Sequence, residues 1–132
     1  MDASGRALAV WDENDGPDRW VFASRFIPGS GWSLPTVIGR EPKDAHDPAI
    51  GMNSNGKAVV VWNQEVGDST DIWSARYLPE PGGWTDAEAI YTDADWEATF
   101  PKVEVDESGH AVAVWNAHGP DSSFGVMSAL LQ

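Results

Sequence analysis

Apolar and polar residues along this chain fall into short segments, some alternating and some almost continuous, and no segment sustains a helical period. The continuous kind recurs. Gly5-Arg6-Ala7-Leu8-Ala9-Val10-Trp11, Gly56-Lys57-Ala58-Val59-Val60-Val61-Trp62 and Gly109-His110-Ala111-Val112-Ala113-Val114-Trp115 share the pattern Gly-x-Ala-x-x-Val-Trp. The three glycines lie 51 and then 53 positions apart, a period that points to propellers or solenoids. An apolar run that closes on tryptophan predicts a strand covered on both faces, as in a sheet held between two other sheets.

Other segments repeat in step with this one. Pro48-Ala49-Ile50-Gly51-Met52-Asn53 precedes the second copy as Pro101-Lys102-Val103-Glu104-Val105-Asp106 precedes the third. Each predicts a strand that starts after the proline, where no ladder donor is needed. The turns that follow, Asn53 to Gly56 and Asp106 to Gly109, place Asn or Asp where it bonds the local backbone and Gly where φ is positive. A third strand is predicted at Val21 to Phe26, Ile72 to Tyr77 and Val126 to Leu131, and a weaker fourth at Leu34 to Gly39 and Asp86 to Tyr91. Prolines and glycines interrupt the chain so often that helix content near zero is expected. The fold class predicted is all-β, in one repeat domain with units approximately 1–47, 48–100 and 101–132.

Four-stranded antiparallel units with a buried aromatic closing each second strand resemble the blades of β-propeller proteins, and the resemblance extends over nearly the whole chain. Residues 101–115 in particular resemble the inner hairpin of a WD-repeat-like or related bacterial blade. The Trp-Asp dipeptide that closes the third strand of WD repeats is missing at that place, and so is the Ser-x-Asp-x-Gly-x-Thr-Trp box of sialidase-type propellers, so no enzyme family's active site carries over. Met1 aligns with Met52, which leaves the first unit without an innermost strand, and the third unit stops before an outermost one. End blades of a free row would expose apolar faces. The expectation is therefore a homodimer whose two chains close a ring of about five or six blades, because three chains would exceed the usual range. A fragment of a longer propeller is the other reading.

Charge and composition narrow the partners. With 21 acidic and 8 basic residues the net charge is −13, which disfavours phosphate backbones and anionic lipid and argues against nucleic acid and membrane as partners. Residues 1–6 lack the basic and apolar run of a signal peptide, and no apolar stretch reaches bilayer length. There is no cysteine, hence no disulfide or thiolate site and no indication of compartment.

Candidate chemistry centres on arginine beside aromatic rings. Arg25 and Arg76 occupy equivalent positions next to Phe26 and Tyr77, and Trp32 and Trp84 follow equivalent glycine-containing loops. Apolar sugar faces stack on aromatic rings while guanidinium donors reach hydroxyls. The arrangement resembles small fucose-binding lectins with a few blades per chain, and that resemblance implies a glycan or small polar ligand held by Arg25, Arg76, Trp32 and Trp84. The competing reading is packing, with arginine stems on the sheet and tryptophans between blades. The third unit has Leu130 at the arginine position. Two acidic stretches, Asp12 to Asp18 and Asp93 to Glu97, carry oxygen ligands at short spacing but match no calcium loop. His46, His110 and His118 lie on different units without ligand spacing. No metal or other cofactor is implied. The predicted function is non-catalytic binding, with an enzyme whose site forms in a central channel as the alternative.

Overall fold

Each motif glycine closes a turn anchored by the acid or amide three residues before it. In the computed structural model, which describes residues 1–39 and 44–132, Gly5, Gly56 and Gly109 have φ of 77°, 86° and 95°, a region open to glycine and costly for other residues. Their N–H groups donate to the carbonyls of Asp2, Asn53 and Asp106 at 3.1, 3.1 and 3.0 Å. The side-chain oxygens of the same three residues accept from the N–H four residues on, at Arg6, Lys57 and His110, at 2.9, 3.0 and 2.9 Å. Successive turns are tied together, with the Asn53 amide donating to the Asp106 carbonyl at 2.8 Å and Ala3 N–H to the Ser54 carbonyl at 3.0 Å.

The first turn carries a partly buried ion pair, the buried Asp2 carboxylate with the half-buried Arg6 at 2.6 Å. Burial by itself would raise the Asp2 carboxyl pKa, but the backbone and side-chain hydrogen bonds from Arg6 and the N–H of Ser4 outweigh it and hold the group below 3.8. A depressed carboxylate pKa means that the unfolded chain binds the proton more readily, so this pair contributes stability above the unfolded value. That contribution is lost as pH falls through the folded pKa. Urea midpoints measured between pH 7 and pH 3 should therefore fall less steeply for Asp2→Asn than for the parent, and parallel curves would show that the pair carries no linkage.

Strands extend from these turns. The first sheet holds β1 (Ala7–Asp15), β2 (Asp18–Ile27) and two short outer pieces, β3 (Gly31–Trp32) and β4 (Thr36–Ile38), both paired with β2. The second runs β5 (Ala45–Met52), β6 (Ala58–Val66), β7 (Ser69–Leu78), with β8 (Gly83–Trp84) and β9 (Glu88–Tyr91) both on the outer edge of β7. The third holds β10 (Glu97–Val105), β11 (Ala111–His118) and β12 (Phe124–Leu131). All the pairings are antiparallel, and a 3₁₀ turn at Pro120–Ser122 is the one helical element among the described residues. The fold is all-β.

Two strand boundaries differ from the sequence reading. The inner strands β5 and β10 do not begin after their prolines but run through them, with register shifts between His46 and Ala49 and between Thr99 and Lys102. Asp47 and Phe100, each just before a proline, have φ of 51° and 53°. A bulge leaves a residue out of the ladder, so the missing proline N–H costs nothing there. The fourth strand is also divided, because the backbone at Ser33 and Thr85 turns its N–H groups back to the carbonyls of Arg25 and Arg76, each at 2.8 Å.

The second sheet lies between the other two. Its Val60, Trp62 and Ala75 pack with Val21, Ala23 and Ile38 of the first sheet, and its Val59, Val61 and Ile72 pack with Ala111, Ala113 and Trp115 of the third. Burial follows from this position. β6 is buried without a break from Ala58 to Gln64, β11 alternates, and β1 is half-buried along its apolar part. Continuous burial of the motif strand, expected for all three copies, thus holds where a sheet covers each face. Trp11 is correspondingly half-buried while Trp62 and Trp115 are 1 % and 3 % exposed.

Candidate functional site: a cleft between the first and second sheets

Alternation along the aromatic-rich third strands decides where each arginine can reach. Alternation along β2 puts Arg25 on the face shared with Ala23 and Val21, which looks onto the second sheet. There it meets the other face of the next unit. Its guanidinium carbon stands 5.9 Å from the centroid of the Tyr77 ring on β7, and Tyr77 packs edge-on against Trp84 of β8 at 5.3 Å. These three line a cleft of about 690 Å³ with Ser33, Asp86 and Gly82 also on its walls.

Polar atoms converge at one end of it. Tyr77 is 6 % exposed, and its hydroxyl has no hydrogen-bond partner among the described residues. A carbon placed on Gly82 would sit 3.6 Å from Arg25 Nη1 and 3.8 Å from Tyr77 Oη, so a cationic donor and a hydroxyl border the same small space. No carboxylate among the described residues forms an ion pair with Arg25. The hydroxyls of Ser24 and Thr85 are spent on local backbone, donating to the Ser33 carbonyl at 2.8 Å and the Asp86 carbonyl at 3.2 Å. They shape the wall. The wall also carries Arg25, Asp86 and Trp84, with the Tyr77 hydroxyl buried behind them.

Of the four residues singled out from sequence, this cleft brings together Arg25 and Trp84. Arg76, one sheet further on, is committed elsewhere: its Nη1 donates to the Gly109 carbonyl at 2.8 Å and ties the second sheet to the third. Trp32 is 56 % exposed on the outward side of the first sheet, where it packs on Phe26 at 5.4 Å. Each arginine reaches the following sheet, Arg25 its Tyr77 and Trp84 and Arg76 its Gly109 carbonyl, and not the aromatic pair beside it in sequence. Tyr77 is the central residue of the cleft, and Asp86 and Gly82 were not singled out from sequence. The Pro79-Glu80-Pro81-Gly82-Gly83-Trp84 loop carried the available signal, since a paired glycine before an aromatic often marks a place where a ligand or backbone approaches closely.

The first acidic stretch is the end of the β1–β2 hairpin and the second is the turn that leads into β10. Asp12 pairs with Arg19 Nε at 3.0 Å, and Asp93 accepts from the Asp95 N–H at 3.0 Å. Among the described residues no three His, Asp or Glu side chains gather as a metal ion requires. His46 lies between Arg19 and Glu65, His110 caps its own turn through Asp106 at 3.2 Å, and His118 packs on the Phe124 ring at 5.1 Å. Burial also raises the carboxyl pKa of Asp71, against a smaller opposing effect of Trp73, but Asp71 does not line the cleft. No helix among the described residues is long and apolar enough to cross a membrane. No protein-family model matches the chain, and no curated protein matches it.

Proposed function

We propose that this chain is a non-catalytic binding module, its sheets arranged as propeller blades, that holds a small hydroxyl-rich ligand such as a glycan in the cleft between the first and second sheets. One observation carries the reading: Arg25 and the unpartnered Tyr77 hydroxyl border one small space in a cleft that Trp84 and Asp86 also line. A sugar ring has an apolar face and a rim of hydroxyls. The aromatic wall stacks against the first, while guanidinium donors and a carboxylate acceptor, Asp86, bond the second. Desolvating the ligand strengthens each of these bonds.

A panel of immobilised glycans tests the proposal. The parent protein should bind at least one class. Arg25→Ala should weaken that binding by roughly ten- to a hundredfold, the worth of one charge-assisted hydrogen bond, and Trp84→Ala should weaken it comparably through lost stacking. Arg76→Ala is the control, because that side chain is engaged with Gly109 and stands outside the cleft. Failure of the parent to bind any glycan, or equal losses in all three variants with an unchanged circular dichroism spectrum, would overturn the reading.

A further inference from the structure

The two internal contacts between sheets use one pair of complementary faces, and the chain leaves one example of each face open. The face that receives a following sheet carries Val21 and Ala23 in the first sheet and Val59, Val61 and Ile72 in the second. In the third sheet the same face carries Val112, Val114, Val126 and Leu130, which are 48, 39, 70 and 62 % exposed. The opposite face, buried at Val60 and Trp62 in the second sheet and at Ala113 and Trp115 in the third, lies open in the first sheet. There it presents Ala9, the stacked pair Trp11 and Phe22 at 6.0 Å, Phe26 and Trp32.

We infer that a second copy of this chain docks head to tail on these faces, the first sheet of one protomer covering the third sheet of its partner, and that two copies close a ring of six sheets, three from each.

Two residues say what kind of sheet fits. Glu104 holds the position that Gly51 holds in the second sheet, opposite Val112 as Gly51 is opposite Val59. At Gly51 the inner strand of the covering sheet comes so close that an added carbon would lie 2.9 Å from the Val103 carbonyl oxygen and 3.3 Å from the Glu104 Cα. A covering sheet with such an inner strand has no room for a glutamate. Among the described residues the first sheet has no such strand, its inner edge being β1, and so it can cover the third sheet with Glu104 in place. Leu130 is the second residue. It holds the place of Arg25 and Arg76, opposite Val112 as they are opposite Leu8 and Val59. Arg25 faces Tyr77 and Trp84, and by the same geometry Leu130 faces their counterparts Phe26 and Trp32. Apolar meets apolar. The junction is thus closed by packing where the internal cleft keeps a cation, and the assembly does not depend on what that cleft binds.

Such an interface is heterologous, with a different patch on each side, and it makes a ring only if the rotation closes. Sedimentation of the parent chain at micromolar concentration and physiological ionic strength should give twice the 14.3 kDa chain mass. Leu130→Glu and Val126→Glu, both at exposed positions that a single chain tolerates, should give one chain mass with an unaltered far-ultraviolet spectrum. The chain has no cysteine, which allows a sharper test. Trp32→Cys and Leu130→Cys proteins, mixed and treated with a short bismaleimide, should yield a linked species that neither forms alone. A monomeric parent, a dimer unaffected by both glutamates, a mass that grows without limit, or linkage of Leu130→Cys to itself in place of Trp32→Cys would each overturn the inference.

Discussion

Truncating Trp62 to alanine should lower the unfolding free energy by roughly 3 to 5 kcal/mol, the usual cost of deleting a fully buried aromatic. The side chain is 1 % exposed and lies in the interface between the first and second sheets, against Val21, Ala23 and Ile38. Neither sheet can close the void alone, because both are held by their own hydrogen-bonded ladders. A second loss adds to the cavity. Trp62 Nε1 donates to the Gln64 side-chain oxygen at 2.9 Å, and Gln64 is itself 1 % exposed, so the substitution takes a donor from a buried acceptor. Trp115 provides the comparison. Its counterpart of Gln64 is Ala117, and its Nε1 has no partner among the described residues, so Trp115→Ala should cost the cavity term without the hydrogen-bond term. Urea titrations of the two variants separate the contributions. A loss well under 1 kcal/mol for Trp62→Ala would show that the two sheets do not pack as described.

Gly51→Ala should be the next most damaging, at about 1 to 3 kcal/mol, although it adds one methyl group and removes nothing. The added carbon would meet the Val103 carbonyl oxygen at 2.9 Å and Val105 Cγ2 at 3.1 Å. Backbone atoms of a paired strand cannot step aside as a side-chain tip can, so β5 and β10 must separate and loosen the packing between their sheets. Gly83→Ala is the matched control, with nothing within 4 Å of the added carbon and no positive φ. Its midpoint should stay within about 0.5 kcal/mol of the parent, as for an unconstrained surface change. Equal effects at the two glycines would mean that backbone entropy, and not the close approach of strands, dominates.

Local structure was legible to the extent that it depends on neighbours in sequence. The Asx-x-x-Gly turns, the hairpins around them and the aromatic-rich third strands follow from turn chemistry and apolar patterning, and the structure places β6, β7, β11 and β12 where those patterns lie. The bulges at Pro48 and Pro101 were not legible, because proline marks a place where the ladder is interrupted without saying on which side the strand continues. The candidate site was half legible. Arginine beside an aromatic ring stood out at Arg25-Phe26 and Arg76-Tyr77, but alternation sends adjacent side chains to opposite faces. The pair that meets in the cleft is therefore Arg25 with Tyr77, 52 residues apart in sequence, and no local pattern identifies it.

By itself the sequence determined an all-β chain of short strands, its turn residues, its acidic surface and the three occurrences of one apolar motif. Only the tertiary structure decided what each occurrence does. The same Ala-x-x-Val-Trp run is buried on both faces in β6, on one in β11 and half-buried in β1. The same arginine position is a cleft donor in the first sheet and a bond to the Gly109 carbonyl in the second. A strand's propensity is set by its own residues through φ, ψ and turn chemistry. Its burial, and with it the work its side chains do, is set by which sheets stand on either side.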